Sequence, residues 1–200
     1  MTSLIFTSPA AAAVFGAACL VWLAPEMIGM ARQRARVSRK TALVHDRGSL
    51  AILLGLQWTG MALNFVLAWR LPAAAIPWQP AWLFGVGVIV ILLGVALRWY
   101  AIRTLGHYFT RDVAVSADQP VVVQGPYRWI RHPAYSGTFL TVLGVGLAMA
   151  NWASLLTLLA CVFVGHFYRV RVEEKALVEA IGQPYIDYIR RTKRFIPLVF

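Results

Sequence analysis

Residues 133–168 form a run of 36 positions without one Asp, Glu, Lys or Arg. A run of that length can cross a hydrocarbon core of about 30 Å and come back. Asn151-Trp152 divides it, which predicts a hairpin of two helices, each about 17 residues long and short enough that tilt is expected. Polar clusters stand at both ends. Ahead lies Gly125-Pro126-Tyr127-Arg128-Trp129-Ile130-Arg131-His132, continuing as Pro133-Ala134-Tyr135-Ser136-Gly137; behind lies Arg169-Val170-Arg171-Val172-Glu173-Glu174. A hairpin returns to the face it left, so the two clusters share one side of the membrane and can meet there.

Three further apolar stretches, residues 9–30, 48–69 and 81–100, are long enough to span. Only 14% of residues are charged while 60% are hydrophobic; soluble domains carry charge on about a quarter. The expected fold is therefore all-α: an integral membrane protein of about five transmembrane helices, with a cytosolic C-terminal helix. Residues 1–104 would hold three spans and a basic loop, and residues 105–200 the cluster-bearing region. The first 25 residues are uncharged and basic residues follow the apolar run, the reverse of a secretory signal. With the N-terminus outside, 18 of the 19 Lys and Arg fall on one face and Arg70 alone on the other. That bias marks the cytoplasmic side, so the C-terminus and both clusters are expected there. The net charge of +11 is explained by orientation, and no nucleic-acid partner is expected. Cys19 and Cys161 both sit in apolar runs, and two cysteines exclude a disulfide framework or a four-ligand zinc site.

Polar residues inside the spans carry two readings each. Glu26, near the inner end of the first span, is expected to reach interfacial water; a site role is the alternative. Gln57 and Asn64 are expected to face other helices. Trp69, Trp78 and Trp82 fit an aromatic belt at the outer interface. Val121-Val122-Val123 is β-prone. The last span is expected to continue out of the membrane toward Gly182, where Gly-Gln-Pro stops it. A short helix with Tyr185 and Tyr188 then precedes an apolar tail, residues 195–200, expected on the membrane surface. Arg169 and Glu173 are four apart and share a helix face, either as an ordinary ion pair or as two halves of a site. His132 caps the fourth helix or lines a site. Arg128 and Arg131 snorkel to phosphates or serve chemistry. For His166, a satisfied buried histidine is the plainer reading and a base the other.

The pattern Gly-Pro-Tyr-Arg, Arg-His-Pro-x-Tyr-x-Gly, then Arg-x-x-x-Glu-Glu, with Gly182 and Tyr185 behind, resembles the isoprenylcysteine carboxyl methyltransferase family. Related motifs occur in phospholipid N-methyltransferases. The resemblance covers about residues 105–200 and implies S-adenosylmethionine as methyl donor. Carried over by position, Gln119, Pro120, Val121 and Val122 would wrap it with their backbone. Tyr127, His132, Pro133, Ala134 and Tyr135 would line it, and Glu173 would hold its amino-acid end. Arg169 would contact the acceptor, expected to be a prenylated or other lipophilic molecule entering from the membrane lipids; no stable protein partner is expected. A carboxylate acceptor can be gripped by Arg169 and needs no base. An amine or thiol must lose a proton, which makes Glu174 or His166 the candidate. Asp112 is a further possible contact. The alternatives are a phospholipid N-methyltransferase or a nicotinamide-dependent membrane reductase. A transporter would show paired interrupted helices in two halves, and the sequence has none.

Overall fold

Seven α-helices make up most of what the computed structural model describes, which is residues 3–37, 43–44, 46, 48–77, 80–110, 114–115 and 120–197. After a single turn, α1 (Leu4–Thr7), come α2 (Pro9–Val37), α3 (Ser49–Arg70), α4 (Pro80–Leu105), α5 (Pro133–Ala148), α6 (Trp152–Ile181) and α7 (Gln183–Arg191). Two residue pairs, β1 (Leu43–Val44) and β2 (Ala114–Val115), join antiparallel. Val121-Val122-Val123, expected to favour a strand, is irregular.

Among the described residues four helices are long and apolar enough to cross a membrane, over Pro9–Gly29, Ser49–Arg70, Ala81–Leu105 and Trp152–Ile181; α5 is apolar but shorter, at 16 residues. Leu20, Ile28, Leu93, Leu156 and Val164 all lie exposed on the bundle's outside. Such a surface is stable only against lipid. The chain is a multi-pass integral membrane protein.

The hairpin is present, with unequal arms. α5 ends at Ala148, and Asn151 caps α6 by accepting from the Ser154 N–H at 3.0 Å. Its closest packing is not arm against arm: α5 lies along α4 and α6 along α3. Glycines make the first seam. A Cβ at Gly94 would meet Thr141 Oγ1 at 2.5 Å, one at Gly137 would meet Arg98 Cβ at 2.7 Å, and one at Gly87 would meet the Ala148 nitrogen at 2.6 Å. Only a missing side chain lets backbones approach so closely, as small residues do in membrane bundles. Asn64, buried in α3, accepts from Ser154 Oγ of α6 at 3.0 Å, the helix-to-helix contact its position suggested. One end of the bundle is closed where Ile76 N–H donates to Ala150 O at 2.8 Å and Asn151 donates to Leu71 O at 2.9 Å. The polar clusters gather at the opposite end.

One expected boundary moves: α2 does not stop near Met30 but runs on to Val37, through Pro25. Over its described part the tail, residues 192–197, is stitched onto the segment before α5. Arg131 N–H donates to Lys193 O at 2.8 Å, His132 N–H to Arg194 O at 3.0 Å and Lys193 N–H to Trp129 O at 3.1 Å. Phe195 is buried, its ring 6.1 Å from that of His132 and 5.2 Å from that of Phe139.

Candidate functional site

A cleft opens where the last turns of α4 and α6 meet the start of α5 and the face of α7. Its walls include Pro120, Val121 and Val122 from the connection, Tyr127 from the Gly125–Arg128 turn, and His132, Ala134 and Tyr135 from the start of α5. Arg169 and Glu173 enter from α6, and Tyr185 and Tyr188 from α7. Local chemistry sets each wall. Gly125 has φ +56°, and a Cβ there would stand 3.0 Å from the Tyr100 hydroxyl. Only glycine makes that turn without strain, and it leads into a Pro126 that buries Tyr127. Gly182, at φ +71°, ends α6 and swings α7 back over the opening. The Tyr188 hydroxyl then donates to Tyr127 O at 2.7 Å, closing the ring of walls. Burial, with Glu173 nearby for the first two, pushes the phenols of Tyr127, Tyr185 and Tyr188 well above their ordinary range, so they remain neutral donors.

Glu173 and Glu174 are neighbours with different surroundings. Glu173 lines the cleft and accepts from the Tyr135 hydroxyl at 2.8 Å. Among the described residues no Lys, Arg or His forms an ion pair with it. A carboxylate so placed fits the ammonium of an amino acid. Glu174 is buried instead in a nest of cations. It accepts from Arg131 Nε at 2.5 Å, from Arg194 Nη2 at 3.0 Å, and lies 3.2 Å from His132 Nε2. Arg131 also donates to Thr192 O at 2.7 Å. The group ties α6, the start of α5 and the tail together, and it fixes two residues of the cleft wall.

A second cleft lies deeper, among α2 to α6. Trp22, Leu23, Met27, Leu53, Leu54 and Trp58 make it apolar; Glu26, Gln57, Arg98, His166 and Arg169 give it polar points. Phe109, Thr110, Tyr135 and Arg169 line both clefts and so form their common wall. Glu26 does not simply reach interfacial water. It takes a two-pronged bond from Arg98, 2.5 Å from Nε and 3.1 Å from Nη2, while Arg98 Nη1 donates to Ala134 O at 3.2 Å. His166 is buried with Nδ1 2.9 Å from Val162 O, as a satisfied core histidine would be. Arg169 reaches across the bundle to the start of α3. The Asp46 carboxylate pairs with it, and Ser49 Oγ accepts from the same nitrogen at 2.7 Å.

Of the residues singled out from sequence, Pro120, Val121, Val122, Tyr127, His132, Ala134, Tyr135, Arg169 and Glu173 are brought to one cleft. Pro133 is the buried first residue of α5, and Glu174 sits behind the wall. Gln119 and Asp112 lie outside the described residues. Arg128 is not a cleft residue; its guanidinium rests 4.7 Å above the Trp129 ring. Sequence reasoning missed Asp46, Ser49, Arg98 and Arg194. Asp46 precedes an apolar run by three residues and signals only a helix cap.

The isoprenylcysteine carboxyl methyltransferase (ICMT) family matches this chain over residues 87–179. A protein-S-isoprenylcysteine O-methyltransferase from Saccharomyces cerevisiae is 34% identical over 115 residues, 56% of this chain and 48% of that protein. Protein-S-isoprenylcysteine O-methyltransferase B from Arabidopsis thaliana is 30% identical over 123 residues, 60% of this chain and 62% of that protein. The chain thus spans about half the length of the curated relatives it matches. A solved structure of the eukaryotic intramembrane Ras methyltransferase ICMT superposes with a TM-score of 0.61 at 26% identity, covering 98% of this chain and 70% of that one.

Proposed function

We propose, from the match of residues 87–179 to the isoprenylcysteine carboxyl methyltransferase family, that this chain belongs to that family and methylates the carboxylate of a lipophilic, isoprenylcysteine-like acceptor with S-adenosylmethionine. The carrying observation is the shared wall. Arg169 lines both clefts and Glu173, one helical turn on, lines the outer one, so a water-borne methyl donor and a membrane-borne acceptor can meet across Arg169 and Tyr135. A wider apolar groove lined by Trp129, Phe139, Phe163 and Phe195 shares no residue with the outer cleft, which argues for the inner cleft as the acceptor's chamber.

The donor set of the outer cleft fits S-adenosylmethionine, which when bound supplies an electrophilic methyl group on a sulfonium. Glu173 pairs with its ammonium, oriented by the Tyr135 hydroxyl. Residues 120–122 present backbone along it, and Tyr127, Tyr185 and Tyr188 exclude water. Arg169 holds the acceptor carboxylate through charge-assisted hydrogen bonds. A carboxylate oxygen is nucleophilic at neutral pH, so no residue has to take a proton, and the chain's work is alignment. Glu174 then acts as a positioning residue: with its carboxylate occupied by Arg131, His132 and Arg194, it holds the wall and takes no proton. We place the site on the cytoplasmic face, where nucleotide metabolites are available, with the N-terminus outside.

The test is methylation of a prenylated N-acylcysteine by the purified protein with radiolabelled methyl donor. Label that alkali releases as methanol marks an ester; label stable to alkali is not an ester and refutes the carboxylate assignment. Glu173→Ala is expected to abolish methyl-donor binding, and unchanged affinity would remove Glu173 from its role.

A further inference from the structure

Arg169 is only 2% exposed and stands in the wall between the two clefts. A guanidinium that must present its fork to one carboxylate has to be held in one orientation, and a charge at that depth needs a counter-charge. Both come from far back in the chain. Asp46 Oδ1 pairs with Nη1 of Arg169, and Ser49 Oγ accepts from the same Nη1 at 2.7 Å. Ser49 is fully buried and donates to Asp46 Oδ1 at 2.9 Å, which closes a three-membered ring of hydrogen bonds. The ring is tethered to backbone. Leu50 N–H donates to Asp46 Oδ2 at 3.3 Å and Ser49 N–H to Asp46 O at 2.8 Å, across a turn that Gly48 makes at φ +75°. The first turn of α3 therefore grips a residue of α6, and it does so from outside residues 87–179, the span the family shares.

The geometry points to Asp46, with Ser49, as the positioning pair that aims Arg169 at the acceptor and supplies its counter-charge. This rests on Arg169 being the acceptor's anchor. The rival is a plain staple between α3 and α6 with no bearing on the acceptor.

Asp46→Asn keeps the shape and, with its Oδ1 in place, the acceptor for Ser49 and Arg169; it removes the charge and gives up the bond from Leu50 N–H, because an amide NH2 cannot accept. Affinity for a prenylated N-acylcysteine is followed through tryptophan fluorescence, since Trp22 and Trp58 line the inner cleft; affinity for S-adenosylmethionine is followed by calorimetry. Asp46→Asn is expected to weaken the acceptor about tenfold, the scale of a lost charge-assisted bond, and to leave the methyl donor unchanged. In an Arg169→Ala background it should add no further loss, because it acts through Arg169. Ser49→Ala keeps the charge, is expected to weaken the acceptor by a smaller factor, and carries the test if Asp46→Asn does not fold. Equal loss for both ligands, or a full additive loss on Arg169→Ala, would make the pair a staple and overturn the proposal. Wild-type protein that binds no prenylated acid would overturn the acceptor assignment itself, a result seen before any substitution and so separate from failure of Asp46.

Discussion

Glu26 and Arg98 are each largely buried among apolar helices, with side chains 15% and 12% exposed. Neither charge would be stable there alone, and removing one partner of such a pair typically costs about 3–5 kcal/mol. Glu26→Leu is therefore expected to lower stability in detergent by that order, read from denaturant unfolding. The double variant Glu26→Leu, Arg98→Met should recover most of the loss, because replacing both charges is close to neutral. The loss should also reach the outer cleft, since Arg98 holds Ala134 O at the start of α5. These pairings were not legible in the sequence, for a physical reason. Residues 127, 132, 134 and 135 fall within nine positions of the chain, and Arg169 and Glu173 are one turn apart, so local geometry brings each group together. Glu26 lies 72 residues from Arg98, and Asp46 lies 123 from Arg169. No local rule joins such partners, and the charge of Glu26 taken alone pointed to water.

Helix existence followed from apolar runs, because lipid leaves a spanning backbone no other way to satisfy its hydrogen bonds. Helix ends were less legible. α2 passes Pro25 and continues to Val37, whereas α6 runs to Ile181 and stops at Gly182, as the Gly-Gln-Pro signal led one to expect. The tail's attachment to residues 129–132 was not legible, because it is made by backbone groups, which side-chain pattern does not report. The α4–α5 seam, in contrast, was partly visible in Gly85, Gly87 and Gly94. The structure separates them: a Cβ at Gly87 or Gly94 collides with α5, whereas one at Gly85 meets nothing within 4 Å. Gly94→Ala is thus expected to destabilise by about 1–3 kcal/mol as an overpacked contact. Gly85→Ala, which gains helix propensity in open space, should leave the melting temperature equal or raised. Equal losses at both positions would mean the seam is not what the glycines serve.

At the scale of the whole molecule, the segregation of cations is the feature that orients it. In a background lacking Cys19 and Cys161, a cysteine at Ser8 is expected to react with a membrane-impermeant maleimide in intact cells. One at Lys193, exposed in the tail beside the clefts, should react only after permeabilisation. The reverse pattern would put the clefts outside, away from cytosolic metabolites. α6 adds a consequence of its own. At about 1.5 Å per residue its 30 residues make a rod of roughly 45 Å, longer than the hydrocarbon core, and it is unbroken from Trp152 to Ile181. Arg169 and Glu173 are two marks on that ruler. A thicker or thinner bilayer can raise or sink the rod, yet the spacing between the marks cannot stretch, so the two reacting molecules keep their mutual register whatever membrane surrounds them.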